Sequence, residues 1–347
     1  MRLVTRPDFD GLVCGSLITA LDNIDSYLFV EPKFMQDGMV EIRDGDVITN
    51  LPYHSNCSLW FDHHITNAAS WPLHLGLEAR RLEGFPASQP PSIEKSLVPG
   101  KGGFRIARSA ARVVYEYYDL FSSLESRVPS PEPPYPKPET RNPKLKRGIR
   151  FLKSERIRLL LEETDKIDAG LLSREDVLNP EGYVLISITI NGKSSQDEPY
   201  WLKLIRLLRD ASLEEVLGEK EVQRRCQQIL NLQEELKEIL LKHATLNGNV
   251  ILVDLRGTKD LTDVNRFLLY TLFPTGNISL KVTDDVQRGD FTAISVGYNI
   301  FNTTSKVNVG ALLQRYGGGG HKVVGSCRVS NAQAEQAVKE ILNAIKE

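Results

Sequence analysis

The sequence predicts an α/β fold with two domains, an N-terminal one built on a mainly parallel sheet and a smaller C-terminal one. Short apolar segments alternate with helical patterns over residues 1–65, which is typical of parallel strands joined by helices. A second alternation of this kind begins at residue 248. The length of 347 residues also corresponds to about two domains of ordinary size.

The same patterns assign the elements of the N-terminal part. Strands are expected over residues 3–4, 27–30, 46–49 and 58–61. Helices are expected over residues 11–21, 109–118 and 149–165, followed by a strand over residues 183–190. Two Pro-rich stretches indicate surface insertions rather than core, at residues 85–100 and 129–143.

A long charged helical region runs from Leu213 to about Thr245. Its apolar stripe favours a helical connector, with a short coiled coil as the alternative. Beyond it, strands are expected over residues 249–253 and 326–329, and a final helix begins at Ala332. We therefore expect a domain over residues 1–200, a connector over 201–247 and a second domain over 248–347.

The composition excludes several classes of protein. An apolar content of 41% is normal for globular chains and excludes disorder throughout. The 43 Lys and Arg nearly balance 45 Asp and Glu, unlike the basic excess of an obligate duplex-DNA binder. No stretch approaches the roughly 18 consecutive apolar residues of a membrane span. Because the four cysteines include no C-x-x-C pair, we expect reduced thiols in a cytoplasmic protein with no membrane partner.

Acidic and imidazole side chains follow the predicted strands of the first domain. Asp8 and Asp10 come after the first strand, and Asp62-His63-His64 after the fourth. The carboxyl ends of parallel strands meet at one edge of a sheet. Mixed carboxylate and imidazole ligands suit Mn²⁺, Mg²⁺, Fe²⁺ or Co²⁺ better than a structural zinc. A turn or a helix cap would explain each motif alone, but their joint occurrence favours a metal site.

A glycine run marks the C-terminal part. Gly317, Gly318, Gly319 and Gly320 precede His321, and Arg315 stands just before them. Consecutive glycines let backbone N–H groups approach a phosphate closely. A flexible loop between a helix and a strand is the alternative.

Together these motifs resemble the DHH phosphoesterase superfamily, in the branch whose second domain is the DHH-associated domain with a G-G-G-H motif. The matching residues are Pro7–Gly11, Asp62–His64, Asp165 and Gly317–His321. The resemblance is strongest to bacterial exopolyphosphatase-related and nano-RNase-like proteins. It implies a two-domain α/β fold and hydrolysis of phosphate esters or anhydrides with Mn²⁺ or Mg²⁺, held as two ions or as one.

The resemblance also implies metal ligands. Asp8 and Asp10 would each ligate one ion, and His63 would ligate the second. Asp165 would complete the shell of the second ion, with Asp168 as the competing candidate.

Catalytic and substrate-binding roles follow in the same way. His64, beside Asp62, would face the scissile phosphate as the catalytic group. In the second domain, Arg315, the four glycines and His321 would hold a substrate phosphate across a cleft.

Two positions depart from the family pattern. Val4 stands where a histidine is usual, and Asn50 stands where a bridging carboxylate is expected. A neutral amide cannot supply the negative charge that holds two cations together. His54, four residues after Asn50, is a candidate replacement for the missing imidazole, although a loop histidine is more often solvated.

The leading hypothesis is therefore a metal-dependent phosphoesterase acting on small substrates. These would be short oligonucleotides, pAp-like nucleotides, cyclic dinucleotides or polyphosphate, and a homodimer is a candidate assembly. The alternative is a catalytically impaired nucleotide- or phosphate-binding protein, because Val4 and Asn50 remove two expected ligands. A polyanion-binding scaffold is a third hypothesis, since residues 141–158 hold eight basic residues and one acid.

Overall fold

The chain forms two compact units in a computed structural model that describes residues 1–64, 67, 95–98, 101–125, 148, 150–190, 192, 194–258, 264–285 and 288–346. The N-terminal unit comprises Met1–Leu171 and Gly182–Val222. The C-terminal unit comprises Leu172–Glu181 and Gln223–Glu347. This division does not coincide with the expected boundaries at residues 200 and 247, because the chain changes units three times.

The N-terminal unit contains a six-stranded sheet in the order β2-β1-β3-β4-β6-β5. The pairs among the first five of these strands are parallel, and β5 pairs antiparallel with β6. The mainly parallel sheet predicted from the sequence is thus confirmed. The strands are β1 (Arg2–Thr5), β2 (Ser26–Phe29), β3 (Asp46–Thr49), β4 (Leu59–Asp62), β5 (Lys95–Val98) and β6 (Gly102–Arg105).

The helices of this unit cover the sheet. The first helix, Phe9–Leu21, is buried along almost its whole length. Gly15 of this helix allows Ile205 to pack closely against it, because a Cβ at Gly15 would lie only 2.9 Å from the Ile205 Cδ1. The helices are α1 (Phe9–Leu21), α2 (Pro32–Gln36), α3 (Ala110–Glu125), α4 (Glu155–Asp168), α6 (Gly182–Ile188), α7 (Glu198–Asp210) and α8 (Leu213–Gly218), numbered in chain order.

One predicted element has the wrong secondary structure. The apolar run over residues 183–190 was expected to be a strand, but residues 182–188 form helix α6. Tyr183, Val184, Leu185 and Ile186 are all buried, and a short run that is apolar on every side carries no period that separates strand from helix.

The two Pro-rich stretches lie mostly outside the described residues. Within the first, Lys95–Val98 forms the edge strand β5 rather than an irregular insertion. The second, residues 129–143, and the start of the basic segment are not among the residues that the structure describes.

The C-terminal unit contains a second six-stranded sheet in the order β11-β12-β10-β9-β8-β7. The final helix packs over it through Ala334, Ala337, Ile341 and Ile345. The strands are β7 (Ala244–Asn247), β8 (Val250–Asp254), β9 (Ile278–Asp284), β10 (Phe291–Tyr298), β11 (Gly319–Gly320) and β12 (Val324–Ser330). The helices are α5 (Arg174–Leu178), α9 (Lys220–His243), α10 (Leu268–Leu272), α11 (Val309–Gln314) and α12 (Asn331–Ile345).

Helix α5 belongs to the C-terminal unit although its flanking residues in sequence belong to the N-terminal one. Val177 lies in an apolar cluster with Leu236, Leu240 and Leu268. Its carbonyl accepts a hydrogen bond from Asn265 Nδ2 at 2.7 Å, and the Leu178 carbonyl accepts one from Gln233 Nε2 at 2.8 Å. The segment 172–181, which we call the excursion, is therefore held in the C-terminal unit by hydrogen bonds to its backbone as well as by apolar packing.

Among the described residues, none of the helices combines the length and the apolarity that crossing a bilayer requires.

Candidate active site

His63 is the centre of a group of acidic side chains in the N-terminal unit. Its Nδ1 lies 3.1 Å from the carbonyl oxygen of Ala107. A carbonyl can only accept, so Nδ1 carries the proton and Nε2 presents a lone pair in the neutral ring. This buried Nε2 has no hydrogen-bond partner, and it lies 3.2 Å from Asp168 Oδ2 and 3.9 Å from Asp10 Oδ2.

Asp10 is held by the beginning of helix α3. Its Oδ2 accepts a hydrogen bond from the Ala110 amide and its Oδ1 one from the Ala111 amide, both at 2.9 Å. The positive end of the helix dipole favours a carboxylate at this place. Burial and the neighbouring Asp168 carboxylate nevertheless raise the pKa of Asp10, although His63 acts in the opposite direction.

Asp165 and Asp168 lie one turn apart near the end of helix α4, and only the second one reaches His63. Asp168 forms a group with Asp10 and His63 in which the three ligand atoms lie within 4.8 Å of one another. Asp165 instead accepts hydrogen bonds from Ser109 and Arg112. Of the two candidates proposed from the sequence, the geometry therefore favours Asp168.

This group fits a divalent cation. Two carboxylates and an unprotonated imidazole nitrogen converge on one point, and they would repel one another without a positive charge between them. A carboxylate and imidazole donor set suits Mn²⁺ and Mg²⁺ better than a structural zinc. The orphaned lone pair of His63 Nε2 is the observation that supports this fit, because a buried acceptor is rarely left unsatisfied.

Asp8 lies at the start of helix α1 beside Asn50. Its Oδ1 accepts hydrogen bonds from the Gly11 amide at 2.8 Å and from Asn50 Nδ2 at 2.9 Å, and its Oδ2 lies 3.3 Å from Arg6 Nε. Asn50 adopts the left-handed conformation with a φ of 55°, and its buried Oδ1 has no hydrogen-bond partner. An amide oxygen in such a position is a neutral ligand that a hard cation accepts.

Val4, which stands where a histidine is usual, and His54, the candidate replacement, both lie apart from the acidic group. Val4 is fully buried in an apolar cluster with Ile48 and Trp60, so this position contributes packing. His54 Nδ1 accepts a hydrogen bond from the Asn56 amide at 3.2 Å, and His54 is in neither of the two carboxylate and imidazole groups found among the described residues.

Asp62 and His64 form a second pair next to His63. Asp62 is fully buried, and its Oδ1 lies 2.8 Å from His64 Nδ1. Because a carboxylate accepts, Nδ1 carries a proton and Nε2 is the nitrogen that can exchange one. Burial lowers the pKa of His64, but the hydrogen bond to Asp62 and the nearby carboxylates outweigh burial, and the net effect raises this pKa.

The glycine segment of the C-terminal unit is a tight backbone junction. A Cβ at Gly318 would lie 2.2 Å from the Ser326 carbonyl oxygen, whereas a Cβ at Gly319 would meet nothing within 4 Å. Gly319 and Gly320 pair with strand β12, so the expected flexible loop is in part a strand. Arg315 and His321 are both exposed.

Sequence reasoning missed the residues that support the acidic group. The Ala107 carbonyl, the amides of Ala110 and Ala111, and the Ser109 and Arg112 side chains belong to one segment that the sequence indicated only as the start of a helix. A serine directly before a helical pattern is the signal of an N-cap, but no pattern shows which distant carboxylate the helix end will bind.

The comparisons with known proteins concern the chain as a whole. No family model matches the sequence, and no curated protein matches it. Among solved structures, the pGpG-specific phosphodiesterase PggH from Vibrio cholerae is similar at a TM-score of 0.71 and 29% identity, covering 99% of this chain and 98% of PggH. RecJ of Thermus thermophilus, solved in complex with Mn²⁺, is similar at a TM-score of 0.53 and 14% identity, covering 100% of this chain and 52% of RecJ.

The likeness to RecJ concerns the fold alone, whereas the likeness to PggH extends over both proteins almost completely. The fold and the full-length likeness to PggH support the resemblance to the DHH phosphoesterase superfamily that the motifs indicate.

Proposed function

We propose that this protein is a divalent-cation-dependent phosphodiesterase that hydrolyses short 5′-phosphorylated oligonucleotides, with linear dinucleotides such as pGpG as the first candidates. The single observation that carries the substrate class is the full-length likeness to a pGpG-specific enzyme. The convergence of Asp10, His63 and Asp168 supports the use of a cation.

We propose that Mn²⁺ or Mg²⁺ binds at two positions of unequal affinity. The tighter one is formed by Asp10, His63 and Asp168, since it combines two carboxylates with an imidazole. The weaker one lies at Asp8 and the Asn50 Oδ1, where an amide stands in place of a charged ligand. When bound, these cations supply Lewis-acid charge to a phosphoryl oxygen and lower the pKa of a water molecule.

The residues of the chain then have separate tasks. Asp62 holds the ring of His64 through Nδ1, which directs Nε2 to the substrate as a hydrogen-bond donor or proton carrier. The Ala107 carbonyl fixes the tautomer of His63 in the same manner. Charge on a phosphodiester develops at its oxygens, so a donor already held in place stabilises that charge without further reorganisation.

We assign substrate phosphate binding in the C-terminal unit to the glycine segment with Arg315 and His321. Gly319 offers backbone without a Cβ in open space, and both side chains are exposed. A guanidinium, an imidazole and backbone N–H groups are the donors that phosphate accepts in proteins.

The alternative, a phosphate-binding protein that has lost catalysis, is not favoured. It rests on Val4 and Asn50, yet the acidic group around His63 involves neither residue. We also assign the protein to the cytoplasm, because its four cysteines are free thiols, three of them buried.

The test is Mn²⁺-dependent hydrolysis of pGpG, followed by chromatography of the products. Competing substrates are pApA, a 5′-phosphorylated pentanucleotide, pAp, a cyclic dinucleotide and polyphosphate. We expect the dinucleotides to be cleaved fastest, His63→Ala to abolish turnover, and His54→Ala to retain it. Turnover of pGpG that persists in His63→Ala would contradict the proposed centre, and faster cleavage of polyphosphate would contradict the substrate class.

A further inference from the structure

The Asp165 carboxylate joins two helices that each carry part of the cation centre. Ser109 Oγ donates to Asp165 Oδ1 at 2.6 Å. Arg112 donates to Asp165 Oδ2 through Nε at 2.9 Å and through Nη2 at 2.7 Å. We call these three residues the Ser109–Arg112–Asp165 cluster, and it connects the start of α3 with the last turns of α4.

Helix α4 carries one of the acids that face His63, and the start of α3 binds the other one, Asp10 of helix α1. Asp168 lies one turn after Asp165 on α4. On α3, Ser109 Oγ also accepts the Arg112 amide at 3.1 Å, in the manner of a helix N-cap. The two amides between these residues, those of Ala110 and Ala111, bind the Asp10 carboxylate.

The cluster therefore works against an electrostatic force. The Asp10 and Asp168 carboxylates face the same nitrogen of His63. Their ligand oxygens lie within 4.8 Å of each other, and two negative charges at that separation repel each other. Helix α4 would relax by moving its C-terminal end away from α3, which would widen the site. A charge-assisted contact in which two guanidinium N–H groups donate to one carboxylate oxygen, together with the Ser109 hydrogen bond to the other oxygen, resists this movement better than a single hydrogen bond.

We propose that Asp165 is a positioning residue, which sets the separation of Asp10 and Asp168 through Ser109 and Arg112 and thereby the affinity of the centre for its cation. This inference rests on the proposed cation site. It assigns Asp165 a role distinct from that of a metal ligand, because both of its oxygens are already engaged by donors of α3.

The experiment measures Mn²⁺ binding directly, by the loss of the free-ion signal in electron paramagnetic resonance, for the full-length chain. The variants are Asp165→Asn, Arg112→Gln and Ser109→Ala. The matched control is Arg156→Gln, because Arg156 also lies on α4 and its guanidinium donates to the Leu208, Arg209 and Ala211 carbonyls. Urea unfolding of each variant in EDTA records the loss of stability.

We expect all three cluster variants to weaken Mn²⁺ binding by about 10- to 100-fold, which is typical of lost support around a ligand. Their hydrolysis of pGpG should recover at saturating Mn²⁺. Arg156→Gln should lose stability and keep its affinity. Arg112→Gln and Ser109→Ala separate a positioning role of Asp165 from a ligand role, because both variants keep the Asp165 carboxylate and remove only its partners.

Three results would overturn the inference. Unchanged Mn²⁺ affinity in Arg112→Gln and Ser109→Ala, with a loss only in Asp165→Asn, would make Asp165 a ligand. An equal loss in Arg156→Gln would reduce the effect to general stability. Wild-type affinity in all variants would remove the positioning role, whereas a wild-type protein that binds no Mn²⁺ would reject the proposed function itself.

Discussion

The carboxylate of Asp10 is bound by the backbone amide of Ala110, a hundred residues further along the chain. An acid that occupies the first turn of its own helix thus meets the first turn of another helix. Both helices begin with polar groups, so the two N-termini share one negative charge. A cation that binds Asp10 is consequently held by a carboxylate that backbone amides keep in place, and backbone groups have no side-chain rotamers to change.

We predict that Asp168→Asn stabilises the protein in the absence of cations and weakens Mn²⁺ binding. Asp168 ends helix α4, where a negative charge opposes the helix dipole, and it also faces Asp10. We expect a gain of about 0.5–2 kcal/mol in the free energy of unfolding in EDTA. Urea unfolding measures this gain, with Glu162→Gln as the control on the same helix. A loss of stability in Asp168→Asn would contradict the repulsion between Asp168 and Asp10.

The two adjacent histidines should give opposite kinetic signatures. His63→Ala removes the nitrogen that faces both acids and should lower Mn²⁺ affinity together with activity. His64→Ala removes the ring held by Asp62 and should lower kcat by about 10²–10⁴-fold with Mn²⁺ affinity close to that of the wild type. Calorimetric Mn²⁺ titrations beside steady-state kinetics make the distinction, and equal loss of Mn²⁺ binding in both variants would refute it.

Alanine substitutions at two neighbouring glycines should differ sharply in their effect on stability. Gly318→Ala places a methyl group against the Ser326 carbonyl, while Gly319→Ala places one in open space. We expect Gly318→Ala to cost about 1–3 kcal/mol of unfolding free energy, and Gly319→Ala to stay within about 0.5 kcal/mol. A rise in KM for Gly319→Ala at normal stability would support phosphate binding by this segment, and an unchanged KM would speak against it.

Asn50→Asp should strengthen the weaker cation position. The new carboxylate would face Asp8, which now accepts a hydrogen bond from Asn50 Nδ2, so stability in EDTA should fall. With Mn²⁺ the added charge should raise the affinity of the second ion by about tenfold or more. Equilibrium dialysis with metal analysis counts the ions, and Asn56→Asp in the nearby loop is the control. An unchanged second affinity would mean that Asn50 is not beside a cation.

Much of the fold follows from the sequence because the strands of a parallel sheet are short, apolar and separated by helices. β1, β3 and β4 lie within one or two residues of their expected places, and the polar residues Asp8, Asn50 and Asp62 at their carboxyl ends mark the functional edge. Helix α6 was missed because its residues are apolar on all sides, and neighbouring helices decide its conformation.

The choice between Asp165 and Asp168 could not be made from the chain alone. Residues three positions apart on a helix lie on nearly the same face, so both acids project towards the same region. What separates them is Arg112, 53 residues earlier, whose guanidinium engages Asp165. The pairing of side chains from distant segments depends on the packing of whole helices, which residue patterns do not encode.

The excursion of residues 172–181 affects the order in which the protein can fold during synthesis. Gln233, which binds the Leu178 carbonyl, is translated 55 residues later, and Asn265, which binds the Val177 carbonyl, 88 residues later. The N-terminal unit can assemble once Val222 has left the ribosome, but at that stage Val177 of the short helix α5 still lacks the later residues that bury it. The C-terminal unit, by contrast, includes residues 172–181, so a segment that begins at Gln223 would lack part of the apolar cluster around Leu236 and Leu268.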